Sequence, residues 1–262
     1  MNARGTIKYW LYNSCPGFAG RFPYHGTVVH FPPGAMLFRA ICQQGAFEAD
    51  VIDRLVRLSR PHTTVLDVGA NIGLMAVPVL RSCSTCRVVS FEPSPSSLPS
   101  LQRTATGSSY RDRWTVVGKG LSHQAGQLDF AVGSPADAPF EGFNSAEQIA
   151  GARMVKVPVS TLDDEWHELG SPEVSVVKID VEGAEGLVLD GGQKLFEAWR
   201  PDVLVEWCEP YLRRFGTPPE QLMSFAAKGR YRIFTVPHGV PVDDERTLRV
   251  QMIECQNFLL LH

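Results

Sequence analysis

Asp67, Glu92 and Asp180 each close an apolar run rich in β-branched residues, and a glycine or proline follows each within three positions. Acids so placed belong at the carboxyl ends of strands, where open α/β sheets bind their ligands. The run Val65-Leu66-Asp67-Val68-Gly69-Ala70-Asn71-Ile72-Gly73 reads as a strand that passes through a glycine turn into a helix. Glycines at such a turn let a ligand approach the backbone. A dinucleotide fingerprint would read G-x-G-x-x-G, but the only glycines here are Gly69 and Gly73, with Asn71 between them. A carboxylate at Asp67 would repel a diphosphate and attract a ligand that carries an ammonium and a sulfonium. S-adenosylmethionine is such a ligand, and Asp67 is expected to face its methionine end.

Glu92 stands nineteen residues beyond Gly73, where an acid can accept hydrogen bonds from both ribose hydroxyls of a nucleoside. Asp180 closes a further strand, and Lys178, two residues earlier, points to the same face. A hydroxyl is poorly ionised at neutral pH, so a carboxylate within reach could take its proton as a carbon–oxygen bond forms. Asp180 is the candidate for that role, with orientation of the cofactor amine or pairing with Lys178 as the alternatives. Glu182, Glu185 and Glu206 lie nearby in sequence or at the next strand end. Glu185 suits the start of a helix for its dipole alone, whereas Asp180, Glu182 and Glu206 could offer oxygens to magnesium. Their spacing is too loose to specify a metal, and none is expected to be required.

The segments 67–73, Phe91-Glu92-Pro93 and Val177-Lys178-Ile179-Asp180-Val181-Glu182-Gly183-Ala184-Glu185 together resemble the FkbM-type methyltransferase family. Gly45-Ala46-Phe47-Glu48 resembles that family's lead into the domain, and Gly120-Leu121-Ser122 its segment after the third strand; His123 stands where an acid is more usual. The resemblance spans roughly residues 45–261. It implies a Rossmann-like sheet, S-adenosylmethionine as methyl donor, and O-methylation of polyketides, glycans or similar hydroxyl compounds. It also implies cofactor contacts from Asp67, Gly69, Ala70, Asn71, Gly73, Glu92, Pro93, Leu121, Ser122 and Asp180, with Asp180 and Lys178 at the chemical step.

Positioning these residues requires an α/β sheet. Strands are predicted at 64–67, 87–91, 114–117, 174–179, 203–206 and 231–236, alternating with helices at 72–81, 95–104, 184–190, 194–198 and 219–228. That alternation implies a mostly parallel sheet covered on both faces. A last apolar run at 253–261 is expected to return antiparallel as the far arm of a long hairpin. Short strands at 127–132 and 154–158 flank a long loop, 133–151, in which Phe140, Phe143 and Asn144 could serve the acceptor. Residues 1–44 read as a hairpin cap, a leading helix follows at 47–58, and 45–262 form the methyltransferase domain.

Composition narrows the class. Hydrophobic residues make up 44% and charged residues 20% of 262, the balance of a packed globular protein. A net charge of −3 offers little to a polyphosphate backbone, so no nucleic acid partner is expected. Nor does the chain have a Pro-Cys pair or an Asn/Asp-Pro-Pro motif after the fourth strand, as base-modifying methyltransferases do. No apolar stretch reaches bilayer-spanning length, and the opening residues lack a signal-peptide core, which together predict a cytoplasmic protein. Cys83 and Cys86 have redox or half-zinc spacing, but no second such pair exists, so reduced, unligated thiols are expected. His25 and His238 read as loop histidines, and Trp207, Tyr211 and Phe215 as packing aromatics that could also line an acceptor pocket. The competing functions are an NAD-dependent oxidoreductase and a non-catalytic nucleoside-binding module on the same sheet.

Overall fold

The computed structural model describes residues 3–44, 47–133, 142–143 and 151–262. The chain opens with helix α1 (Ala3–Ser14), hairpin β1 (Arg21–Tyr24) and β2 (Thr27–His30), and helices α2 (Met36–Gln44) and α3 (Ala49–Leu58). Next come β3 (Thr64–Val68), α4 (Ala76–Ser82), β4 (Arg87–Phe91), α5 (Leu98–Gly107) and β5 (Trp114–Val117). Four further strands follow: β6 (Gly120–Leu121), β7 (Gly126–Val132), β8 (Gly142–Phe143) and β9 (Arg153–Ser160). The core then resumes with α6 (Leu162–Glu168), β10 (Val174–Ile179), α7 (Glu185–Asp190), α8 (Gln193–Trp199), β11 (Asp202–Glu206), α9 (Glu209–Leu212) and α10 (Gln221–Gly229). It closes with β12 (Arg232–Val236), β13 (Pro241–Val242), α11 (Glu245–Glu254) and β14 (Asn257–Leu261).

The main sheet has the order β13-β12-β14-β11-β10-β3-β4-β5. From β11 to β5 the strands are parallel, and β14 runs antiparallel between β11 and β12. Chain direction along the sheet reverses between β3 and β10, where the connections diverge and leave a crevice at the carboxyl ends. Full burial of β3 and β10 explains why they read as near-continuous apolar runs. One face packs on α3, α4, α5 and the amino-terminal cap, whose Phe22, Phe31 and Phe38 join the same apolar cluster as Val65 and Val77. The other face packs on α7, α8, α10 and α11. A smaller sheet, β6-β9-β7-β8, stands beside the crevice.

Several expectations need correction. The run 253–261 is not one strand of a long hairpin: β13 and α11 intervene, and Ile253 lies on α11, 82% exposed. Asp244 caps that helix by accepting from Thr247 N at 2.7 Å, a polar start signal hidden behind the apolar end of the segment. The amino-terminal cap contains α1 and α2 in addition to the hairpin. The loop 133–151 contains strand β8; Phe140 and Asn144 lie outside the described residues. Cys83 and Cys86 form a disulfide instead of remaining thiols. The turn between α4 and β4 brings their Cα atoms to 5.4 Å, within bridging range.

Candidate active site

The glycine turn is shaped by what crosses it. Gly69 has φ +81°, and a Cβ there would lie 1.7 Å from the Asp180 carbonyl oxygen, so no side chain fits where the ends of β3 and β10 meet. Asn71 adopts a left-handed backbone, φ 49°, and donates its N–H to Glu92 Oε2 at 2.7 Å. Ser97 Oγ donates to Asn71 Oδ1 at 3.2 Å. The second Glu92 oxygen accepts from Ser94 N at 2.8 Å. Glu92 therefore ties the turn after β3 to the turn after β4, and both line one cleft. Ser94 Oγ in turn accepts from Ser96 N and Ser97 N, ahead of α5.

That cleft encloses about 1110 Å³, its open mouth included. Of the sequence candidates, Gly69, Ala70, Asn71, Glu92, Pro93, Leu121, Lys178 and Asp180 line it. Three do not. Gly73 sits behind the turn, where a Cβ would meet the Trp114 ring at 2.7 Å. Ser122 is buried and hydrogen-bonds through its backbone N–H to Ser160 O. Asp67 is wholly buried beneath the floor, and neither of its carboxylate oxygens has a hydrogen-bond partner. Lys178 Nζ reaches Asp67 Oδ1 at 3.9 Å and Asp180 Oδ2 at 3.0 Å. Asp67 so placed acts on the cleft through Lys178. Phe143 lines the cleft, edge-on to Phe130 at 5.2 Å. Trp207 is buried and donates to Pro219 O, Tyr211 lies under Arg214 and Phe215 packs on the small-sheet cluster; these three pack outside the cleft, as do His25 and His238.

The electrostatics are dominated by acids grouped around one cation. Burial opposes the charge on Lys178, but Asp180, Asp67 and Glu48 outweigh it and hold the ammonium above the ordinary lysine range. Burial pushes Asp67 up to about 6 against the pull of Lys178. Burial and the Asp180 charge raise Glu182 to about 8 and Glu48, at the cleft mouth, to about 7. Glu206 is raised well above its ordinary value by the same two causes. One oxygen of Asp180, Glu182 and Glu206 each can be chosen within 4.8 Å of the others. Three such oxygens could hold a hard cation; they could equally face an ammonium or sulfonium.

Two further residues were not legible as functional. Glu185 Oε1 accepts from both Val181 N and Gly183 N at 3.0 Å, which fastens the turn that presents Asp180 and Glu182. Glu182 is held at φ 58°, and Gly183 at φ +111°, where a Cβ would lie 2.4 Å from Tyr211 O. Backbone in this region is retained only where its surroundings enforce it. In sequence Glu48 belongs only to the lead into the domain, and its place near Asp180 depends on long-range packing.

The donor set fits S-adenosylmethionine. A carboxylate stands for the ribose, an open glycine turn and nearby acids for the charged amino-acid end, and Phe91, Leu121 and Phe130 supply apolar wall. Comparisons with known proteins agree with that geometry. Residues 67–233 match the family described as the methyltransferase FkbM domain. Methyltransferase sdnD of Sordaria araneosa is 30% identical over 174 residues, 56% of this chain and 66% of that protein. Hexuronic acid methyltransferase AglP of Haloferax volcanii is 34% identical over 196 residues, 71% of this chain and 70% of that protein. 2-O-methyltransferase NoeI of Sinorhizobium fredii is 25% identical over 149 residues, 52% of this chain and 60% of that protein. The matched region thus spans about two thirds of the length of these relatives. With the match covering well over half of the chain, the protein belongs to the FkbM methyltransferase domain family.

Proposed function

We propose that the protein is an S-adenosylmethionine-dependent O-methyltransferase acting in the cytoplasm on a hydroxyl of a small molecule, polyketide or sugar. The observation that carries this reading is the convergence of the Gly69–Asn71 turn, Glu92 and Asp180 on one cleft. When bound, S-adenosylmethionine supplies a methyl group on a sulfonium, which an incoming oxygen can take while the C–S bond breaks. Glu92 would hold the ribose hydroxyls, and Pro93, Phe91 and Leu121, which line the same cleft, would receive the base. Asp180 faces the acceptor and receives its hydroxyl proton as the carbon–oxygen bond forms. Lys178, anchored from below by Asp67, keeps the Asp180 carboxylate in place.

Among acceptors, a sugar hydroxyl is supported by the hexuronic acid and 2-O-methyl names of two relatives. Nucleic acid has no part in this reading, given the net charge of −3 and an acid-lined cleft. The test is release of S-adenosylhomocysteine on incubation with S-adenosylmethionine and a panel of uronic acids and glycosides. Turnover that requires both the acceptor and Asp180 supports the reading. Calorimetric binding of NAD in place of S-adenosylmethionine would replace it with hydride transfer.

A further inference from the structure

The outward face of α1 has no counterpart in the chemistry of the cleft. Tyr9 and Tyr12 turn inward onto Phe38 of α2 at 6.1 and 6.3 Å between ring centroids. The opposite side carries Ile7, 66% exposed, and Trp10, 61% exposed. At 100° per residue Ile7 and Trp10 share one side of the helix. Solvent-facing Ile and Trp on one short helix cost free energy in water and are best explained by a partner.

The charge of this region is one-sided. Residues 1–47 contain four cations, Arg4, Lys8, Arg21 and Arg39, and no Asp or Glu, for a net +4; the whole chain is −3, so the rest is −7. Arg4 and Lys8 lie on α1 beside Ile7, and neither makes an ion pair among the described residues. Trp and Ile flanked by Arg and Lys suit the boundary between headgroups and acyl chains of an anionic bilayer. A second copy of the chain fits less well, because a two-fold contact would set this acid-free, cationic face against itself.

We infer that the α1 face, with Ile7 and Trp10 inserted and Arg4 and Lys8 against headgroups, docks the protein on the surface of an anionic membrane. Docking is peripheral, since no helix among the described residues is long and apolar enough to cross a bilayer. The inference is independent of the reaction assigned to that cleft.

The test is co-sedimentation of the full chain with vesicles of phosphatidylcholine alone or with about a third phosphatidylglycerol. Binding is expected to the anionic vesicles, to fall as NaCl is raised, and to weaken by roughly tenfold or more in Ile7→Ser/Trp10→Ser and in Arg4→Glu/Lys8→Glu. Arg4, Ile7 and Trp10 are exposed and Lys8 is half-buried, so the fold is expected to survive, checked by circular dichroism, and Ile253→Ser on α11 serves as a control that leaves binding unchanged. Absence of binding to anionic vesicles, an equal loss with Ile253→Ser, or a lipid-free dimer that Ile7→Ser/Trp10→Ser dissolves would each overturn the inference.

Discussion

Asp180 both contacts Lys178 at 3.0 Å and lines the cleft, where the proposed function has it meet the acceptor. Asp180→Asn keeps the shape and removes the proton acceptor. Turnover is expected to fall by roughly 10²- to 10⁴-fold with little change in cofactor affinity; a parallel loss of affinity in calorimetry would assign Asp180 to the cofactor amine instead. Glu92→Ala is expected to weaken S-adenosylmethionine by about 1.5–3 kcal/mol, the range for hydrogen bonds to a charged group. An unchanged dissociation constant in the folded variant would remove Glu92 from the site. The three strand-closing acids were legible because an acid after an apolar run is costly unless it has a task or a partner. What could not be read was depth. Asp67 and Asp180 look alike in sequence, yet packing sends the first beneath the floor to Lys178 and the second into the cleft.

At the scale of elements, strands β3, β4, β5, β10 and β11 match the predicted runs closely; β3 and β10, buried on both faces, leave the most continuous apolar signature. The cap helices and α11 did not, since α1 mixes exposed Ile7 and Trp10 with inward Tyr9 and Tyr12, and that blurs its helical period. The small sheet is the element best placed to meet an acceptor, with Phe143 of β8 at the cleft and braced by Phe130 of β7. Phe143→Ala is expected to raise the acceptor KM several-fold more than the dissociation constant of S-adenosylmethionine. Equal effects on both would make this strand structural.

For the whole molecule, the acid cluster ties stability to pH. Glu182 is raised from 4.5 to about 8, and Glu48 and Glu185 to about 7. Below about 4.5 these groups are protonated in both folded and unfolded chains. Between that point and their raised values the folded chain keeps protons that the unfolded chain has released, so stability falls as pH rises; the loss from these three is complete above about 8, and Glu206, raised further, extends it. The Tm of the ligand-free protein is therefore expected to drop from pH 5 to pH 8, and Glu182→Gln to flatten that slope; an unchanged slope would mean that Glu182 is not so buried. A cationic cofactor entering the cluster would offset the loss without a metal, so turnover is expected to survive EDTA. Loss of activity restored by magnesium would instead make Asp180, Glu182 and Glu206 metal ligands.

The most direct test of the central claim is calorimetric titration of the full chain with S-adenosylmethionine and, in parallel, with NAD. The cleft built on Gly69, Asn71, Glu92 and Asp180 predicts saturable binding of S-adenosylmethionine, weakened in Glu92→Ala, and no binding of NAD. Binding of NAD, or of neither ligand, would contradict it.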